Sequence, residues 1–224
     1  MRQKYPQFSP FVYCANNPIK LVDPNGMEIY VEVEESSNGV YTVVGGTLNK
    51  DKNIYVVKNG ERTGEILGQT FTKYSFFGND GNIVVGATID LNDMSGQNFL
   101  DDFMKNTPDL ITYIFDEEKG GRINGNCDFK NIGNKGVNNI SQYHNRGMRI
   151  NTGDGVKIAT ARDIGDFAAG YIAGKNGIPK LSTRIAFDIY QGGIEPNVTK
   201  MAENIGYRKG KNTYYLNNAN MSWK

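Results

Sequence analysis

Histidine and cysteine are scarce in this sequence, and their scarcity excludes several kinds of metal and disulfide site. The 224 residues include one histidine and two cysteines, Cys14 and Cys127, which stand in different segments. A single histidine and two distant thiols provide neither a zinc-binding spacing nor a disulfide framework. We therefore expect both cysteines to be free thiols and expect no metal site built from histidine or cysteine.

Long apolar runs and the common catalytic motifs are also absent. No stretch approaches the roughly 20 apolar residues that cross a bilayer, and the first residues lack the apolar core of a signal peptide. We therefore expect no membrane insertion, and we expect export to depend on a larger carrier protein. The sequence has no Walker loop, dinucleotide fingerprint, His-Glu-x-x-His or Gly-x-Ser-x-Gly.

Charge is present in quantity and is unevenly distributed. Residues 1–118 contain 9 Lys and Arg against 17 Asp and Glu, a net charge of −8, whereas residues 119–224 contain 16 against 7, a net charge of +9. A basic half of this kind favours a polyanionic partner such as RNA or DNA. The alternative is that the acidic half neutralises the basic half inside one fold.

The segment 28–91 has the pattern of short antiparallel strands. Residues 28–33 alternate polar and apolar side chains with period two, and the hairpin signals Asn38-Gly39 and Asn59-Gly60 lie between apolar runs. Two further strands are expected over 74–77 and 83–89, joined by a turn at 79–81. The pattern predicts four to seven strands.

Helical periodicity begins near residue 95. Ser95 is a candidate cap for a helix with apolar residues at Phe99, Leu100 and Phe103, and Pro108 is expected to begin a second helical run. Residues 121–157 are rich in Gly and Asn, which is typical of a long loop with short strands. Loops of this length inside a domain are often functional.

Three further helices are predicted after residue 160. Thr160 with Asp163 predicts a capped start, and the helix is expected to end at Gly174 and Gly177. Its apolar stripe consists of Ile164, Phe167, Ala168, Tyr171 and Ile172. A helix after Ser182 is expected to bury Ile185, Ala186 and Ile189. A last helix after Pro196 is expected to bury Val198, Met201, Ala202 and Ile205 and to end at Gly206, with a loosely held tail after Lys209.

The predicted fold class is α+β, with an antiparallel β-rich N-terminal half followed by a helical C-terminal half. We divide the chain into a Pro-rich arm at 1–27, a β-rich module at 28–94 and an α+β domain at 95–224.

The residues most suited to chemistry concentrate in the basic half. The candidate catalytic residues are Asp128, Lys130, His144, Arg162, Asp163 and Asp166, and the candidate binding residues are Tyr143, Arg146 and Glu195. His144 is the side chain whose ordinary pKa suits proton exchange near neutrality. Arg146, two residues later, carries a charge that suits a phosphate.

Each of these residues also has a structural interpretation that the sequence leaves open. Asp163 suits the first turn of a helix, where a carboxylate meets exposed amides and the helix dipole. Arg162 and Asp166 are four residues apart and can pair on a helix surface. Asp128 and Lys130 can form a surface salt link. The cofactor is not determined: a divalent ion on Asp128, Asp163 or Asp166 remains open, and nothing in the sequence requires one.

The first 27 residues carry a resemblance to a known family. The run Tyr-Cys-Ala-Asn-Asn-Pro at 13–18 and the turn Asp-Pro-Asn-Gly at 23–26 resemble the closing segment of the RHS repeat-associated core. In that family the core is a secreted or cell-surface shell, and a variable C-terminal tip, usually a toxin, follows this segment. The resemblance implies that the function lies after Met27. It also assigns the autoproteolytic aspartate to Asp23, whose partner belongs upstream in the core, so we expect no self-cleavage by this chain alone.

A second resemblance covers roughly residues 96–210. The segments 121–130 and 160–170, with the late element 195–197, are similar to polymorphic toxin type 44 domains. Asp166 stands here where that family has Asn, and Glu195 stands where acidic pairs are commoner. The resemblance implies a bacterial effector exported within a larger secreted or cell-surface protein, used in interbacterial competition inside a target cell, with an immunity protein as partner.

The resulting hypothesis is a hydrolytic toxin with nuclease chemistry as the leading reaction. The basic half would attract phosphates, His144 or an aspartate would act as general base, and Lys130 or Arg162 would stabilise the charge that develops on phosphorus. Two alternatives remain: a non-enzymatic cell-surface binding or structural tip, and a cell-wall or protein-modifying toxin.

Overall fold

The computed structural model describes residues 30–48, 51–110, 113, 127–190 and 196–221. Within these ranges seven strands form one sheet, and five helices accompany it. The strands are β1 Tyr30–Ser37, β2 Val40–Thr47, β3 Asn53–Lys58, β4 Glu61–Gln69, β5 Thr88–Asp90, β6 Gly147–Asn151 and β7 Val156–Thr160. The helices are α1 Ser95–Lys105, α2 Ile140–His144, α3 Ala161–Lys175, α4 Lys180–Tyr190 and α5 Asn197–Met221.

The sheet has the order β4-β3-β1-β2-β5-β6-β7. Neighbouring strands are antiparallel except for β1 with β3 and β5 with β6, which are parallel and make the sheet mixed. The predicted α+β class, with strands dominating the first half and helices the second, is confirmed. Because β6 and β7 extend the sheet from the C-terminal half, the sheet continues across residue 94, and the division into modules there stays a prediction.

The Asn-Gly hairpins form as the sequence indicates. Asn59 and Gly60 have φ angles of 54° and 79°, which is the left-handed backbone that a two-residue β3–β4 turn requires. The strand expected over 83–89 is shorter, since only β5 pairs in the sheet. The prediction of a strand over 74–77 is wrong, because the Thr72 and Ser75 hydroxyls accept hydrogen bonds from local backbone amides and favour a turn there.

The helix starts agree with the sequence in one case and differ in another. At α3, Thr160 N–H donates to Asp163 Oδ2 at 2.9 Å and Asp163 N–H donates to Thr160 Oγ1 at 3.1 Å, so the predicted capping box is confirmed. At α1, the prediction that Ser95 is the cap is wrong, because Asp93 Oδ1 accepts from Ser95 N–H at 2.7 Å. The helix predicted from Pro108 lies largely outside the described residues.

Two apolar clusters form the core. One fills the space among α1, α3 and β6 and includes Leu100, Phe103, Met148, Ile164 and Phe167. The other lies on the N-terminal strands and includes Val31, Val33, Val43, Ile54 and Ile89. Helix α3 is buried along almost its whole length, which places its first turn in the interior.

Helices α3 and α5 pack closely through four glycines, Gly170 and Gly174 on α3 and Gly206 and Gly210 on α5. A Cβ added at any of them would lie 1.9–2.2 Å from a carbonyl oxygen of the other helix. The predictions that Gly206 ends its helix and that the tail after Lys209 is loosely held are therefore wrong. The four glycines permit close backbone approach. The predicted end of α3 at Gly174 and Gly177 is confirmed, because Gly177 follows the helix with a left-handed φ of 71°. Helix α3 continues to Lys175, and α5 continues to Met221.

The orientation of α4 also differs from the sequence prediction. Ile185 was expected to be buried but is 51% exposed, and Ala186 is exposed as well. The side chain of Ile189 lies outside the described residues. Helix α4 instead turns Thr183 inward and reaches α5 through Arg184, whose Nη1 donates to Glu203 Oε2 at 2.7 Å. The contact of α4 with α5 is therefore made by a polar pair, Arg184 and Glu203, where the periodicity predicted apolar side chains.

Candidate functional site

Residues 128–130 lie against α3 near its start, beside Gly165. A Cβ on Gly165 would lie 3.7 Å from Lys130 N and 3.8 Å from Asp128 Oδ1, which is ordinary contact. This packing brings two candidate catalytic residues of the loop, Asp128 and Lys130, beside the three candidates on α3.

Tyr143 and Arg146 hold this loop in position. Arg146 donates to the carbonyl oxygens of Phe129 at 2.9 Å and Lys130 at 3.1 Å, and its guanidinium lies 4.0 Å from the centre of the Tyr143 ring. The Tyr143 hydroxyl donates to the carbonyl oxygen of Ile132. Both predicted binding residues are thus engaged with the protein backbone, and they act on the position of Asp128 and Lys130.

His144 is joined to Asp128 through an asparagine. Asn131 Nδ2 donates to Asp128 Oδ2 at 2.6 Å, so Asn131 Oδ1 faces His144 Nε2 at 2.8 Å. This orientation assigns a proton to Nε2 and makes Nδ1 the acceptor of the neutral ring. Burial lowers the pKa of His144, and the Lys130 charge lowers it further, which favours the neutral ring at pH 7. The neutral ring is the form that accepts a proton.

Arg162 and Asp163 are structural at their present positions. Both are buried, at 7% and 0% exposure, where the sequence predicted the polar side of the helix. Asp163 completes the capping box, and Arg162 donates to the carbonyl oxygens of Phe77 at 2.7 Å and Tyr74 at 3.0 Å. Arg162 therefore fastens the 74–77 turn to α3, and it forms no ion pair with Asp166 in the part of the chain described.

Asp166 and Glu203 are buried carboxyl groups that retain protons at unusually high pH. Burial raises the pKa of Asp166 well above its usual value, and the nearby Lys130 ammonium opposes the rise. Asp166 Oδ2 is buried and has no hydrogen-bond partner among the described residues. Burial also raises the pKa of Glu203 to about 7, against the lowering effect of the Arg184 hydrogen bond.

Lys130 connects these groups electrostatically. Its charge lowers the pKa values of His144, Asp166 and Glu203, so the three groups share the influence of one ammonium. We call Lys130, His144, Asp166 and Glu203 the Lys130 cluster. It combines a neutral imidazole with two carboxyls that hold protons, which is a composition suited to general acid–base chemistry.

Glu203, although only 4% exposed, borders a groove. This groove, of about 460 Å³, lies between α4 and α5 and is also lined by Thr183, Arg184, Phe187 and Tyr207. A second groove of about 490 Å³ adjoins it, since Lys180 and Asn204 line both. Glu203 is therefore the member of the Lys130 cluster that a bound molecule in these grooves can contact.

Sequence reasoning missed Asn131, Arg184 and Glu203. A signal for Glu203 existed, because Val198, Ala202 and Gly206 repeat every four residues and place position 203 at the edge of the buried stripe. A carboxylate there requires a partner or a raised pKa. Nothing in the local pattern distinguished Asn131 or Arg184.

Glu195 lies outside the described residues. Across the described ranges no group of three or more His, Cys, Asp and Glu side chains is placed to hold a metal ion. Cys127 is buried. No described helix is long and apolar enough to cross a membrane.

Comparisons of this chain with protein-family models, with curated proteins and with solved structures found no match.

Proposed function

We propose that this chain is the C-terminal effector tip of an RHS-type exported protein, and that the tip is a hydrolytic toxin whose leading reaction is phosphodiester cleavage. The observation that carries the hydrolytic part is the pair of buried carboxyls beside Lys130, one of which, Glu203, has a pKa of about 7. The resemblance of residues 13–26 to the end of the RHS core supports the placement in an exported protein.

The proposed chemistry is acid–base catalysis at the mouth of the α4–α5 groove. A group whose pKa is near the working pH is present in both protonation states and transfers protons efficiently. In this proposal water attacks phosphorus and releases a proton to solvent, the bond to the leaving oxygen breaks, and Glu203 in its protonated form gives that oxygen its proton. Glu203 then takes up a proton from solvent, so the protons balance. Arg184 donates to Glu203 from the same groove and supplies positive charge for the oxygens on phosphorus.

A cell-wall target is the second candidate, and the same two carboxyls favour it. Glycoside hydrolases also use a pair of carboxyl groups, one of them with a raised pKa. The two reactions differ in the compartment where the enzyme would do harm. Nucleic acid is attacked in the cytoplasm, whereas the cell wall is attacked from the periplasm.

Expression of the full chain in a bacterium, with and without a periplasmic signal, tests the proposal. We expect growth arrest from the cytoplasmic form, with loss of intact RNA or DNA before loss of cell shape. Glu203→Gln should abolish the arrest, since a general acid contributes roughly 100-fold or more to the rate. Glu61→Gln, at the exposed start of β4, is the matched control and should remain toxic.

Three outcomes would count against the proposal. Arrest only from the periplasmic form, with cell lysis, would favour the cell-wall reaction. A Glu203→Gln variant as toxic as the parent would remove Glu203 from the chemistry. A chain harmless in both compartments would favour the binding or structural tip. Equal melting temperatures for parent and variants would establish that folding is not the cause.

A further inference from the structure

The larger of the two grooves is strongly basic. It lies against the β6–β7 turn and α5, and four cations line it: Lys52, Lys157, Lys180 and Arg208. The one carboxylate in its lining is Asp154. These four cations line one groove although they come from the residue before β3, from β7, from α4 and from α5, which are far apart in the sequence.

The acidic residues of the structure do not neutralise this groove. Lys157 Nζ donates to the neutral side-chain oxygen of Gln69 at 2.7 Å. None of the four lining cations forms an ion pair with a carboxylate of the described ranges. The groove therefore keeps its positive charge, and a bound anion would meet cations that are not already paired with those carboxylates.

The adjoining groove supplies aromatic rings. Phe187 and Tyr207 line it beside Glu203, and the Tyr207 hydroxyl donates to the carbonyl oxygen of Ile178 at 2.7 Å, which fixes the ring. Lys180 and Asn204 line both grooves, so cations and rings belong to one continuous surface. Basic grooves next to aromatic side chains bind single-stranded nucleic acids, because phosphates meet the cations while unpaired bases stack on the rings.

We propose that the two grooves together form a binding site for a single-stranded nucleic acid. The phosphates lie along Lys52, Lys157, Lys180 and Arg208, and bases stack on Phe187 and Tyr207 next to Glu203. This inference rests on the proposed function, for which it names the substrate class. A duplex fits less well, since its bases are stacked on one another and leave the rings without a role.

Fluorescence anisotropy with the full chain tests the inference by binding alone. The probes are labelled 12-nucleotide single strands of RNA and DNA that share one sequence, together with the corresponding duplexes. Each probe is titrated with the parent protein and with Glu203→Gln, and the variant is included because it limits cleavage during the titration. We expect single strands to bind more tightly than duplexes, with affinity falling steeply as salt is added. The RNA and DNA arms identify the sugar.

Two kinds of variant separate the cations from the rings. The double variant Lys52→Gln with Arg208→Gln should weaken binding and lower the salt slope by about 1–2, because each phosphate contact contributes about 0.7 for single strands. Phe187→Ala should weaken binding roughly tenfold and leave the salt slope unchanged, since stacking is worth about 1–3 kcal/mol per base. The control is Lys58→Gln with Lys105→Gln, which removes two exposed cations outside the grooves. Its affinity and its salt slope should both change much less than those of the groove variants.

The outcomes distinguish this inference from the function on which it rests. Absence of single-strand binding at low salt, equal affinity for duplexes, or equal effects of the groove and control variants would overturn it. If the chain is toxic through Glu203 while the groove variants bind normally, the proposed function stands and this site is wrong. If single strands bind as described but neither cleavage nor toxicity occurs, the site stands and the hydrolytic function fails.

Discussion

Close packing of α3 on α5 makes one glycine substitution sharply unfavourable and another favourable within the same helix. In Gly170→Ala, the new Cβ would lie 1.9 Å from the carbonyl oxygen of Glu203 and 2.9 Å from its Cα. Because backbone atoms cannot turn aside as a side chain can, the two helices must separate. In Gly165→Ala, the nearest atom is 3.7 Å away, so the methyl group fits as it stands.

The magnitudes follow from two opposing effects. Overpacking of a well-filled interior costs about 1–3 kcal/mol, and we take about 3 for a clash with backbone. Alanine is favoured over glycine inside a helix by about 1 kcal/mol. Gly170→Ala should therefore lower the free energy of unfolding by about 2 kcal/mol, whereas Gly165→Ala should raise it by up to about 1 kcal/mol.

Thermal and urea unfolding of the two variants measure this difference. For a chain of this size about 1 kcal/mol corresponds to roughly 2–4 °C. We expect Tm to fall by about 4–8 °C in Gly170→Ala and to be equal or higher in Gly165→Ala. Equal Tm values for the two variants would refute the close approach of the helices. A fall confined to Gly165→Ala would reverse the assignment of which glycine is in contact.

Three further predictions concern protonation, the turn at 74–77 and capping. The pKa of Glu203 is about 7 in the folded chain and 4.5 in the unfolded chain. Protonated Glu203 therefore contributes about 3 kcal/mol to the free energy of unfolding below pH 4.5, and this contribution is lost as the pH rises through 7. Glu203→Gln should flatten the dependence of Tm on pH between pH 4.5 and 8, and equal slopes for parent and variant would count against this. Arg162→Lys removes the two guanidinium donors to the carbonyl oxygens of Phe77 and Tyr74, and it should lower the free energy of unfolding by about 1–3 kcal/mol. An unchanged urea midpoint would contradict the role of Arg162 in holding the 74–77 turn against α3. Thr160→Ala should cost about 1 kcal/mol, because the Thr160 hydroxyl accepts from Asp163 N–H. Ser95→Ala should cost less, since Ser95 is not the cap of α1, and equal losses would argue against these assignments.

The parts of the fold that the sequence predicted are those with a local cause. Asn59-Gly60 supplies positive φ angles at a hairpin whatever the rest of the chain does, and Thr160 with Asp163 closes a capping box within one turn. The order of the strands, with β1 parallel to β3, depends on pairings that no local pattern encodes. Gly206 is an example of what the local sequence does not determine, because a glycine that ends a helix and a glycine at a contact between two helices have the same local pattern.

The candidate site divides in the same way. The sequence predicted that the candidate catalytic residues lie in the basic half of the chain. Three of them, Asp128, Lys130 and His144, lie next to the start of α3 in the fold. Their roles were not predictable, because Arg162 and Asp163 on a helix start have the pattern of surface residues although both are buried. Glu203 was missed because its proximity to Lys130 arises from the packing of α5, far away in sequence, against α3.

The measurement that tests the central claim most directly is the pH–rate profile of strand cleavage by the purified full chain. Labelled single-stranded RNA and DNA are incubated with parent protein and with Glu203→Gln in excess over the strand, from pH 5 to 9. We expect the parent to cleave one or both strands with an apparent pKa near 7, and Glu203→Gln, equally folded, to lose roughly 100-fold or more and to lose that pKa. Absence of cleavage by the parent, or the same profile in the variant, would contradict the account.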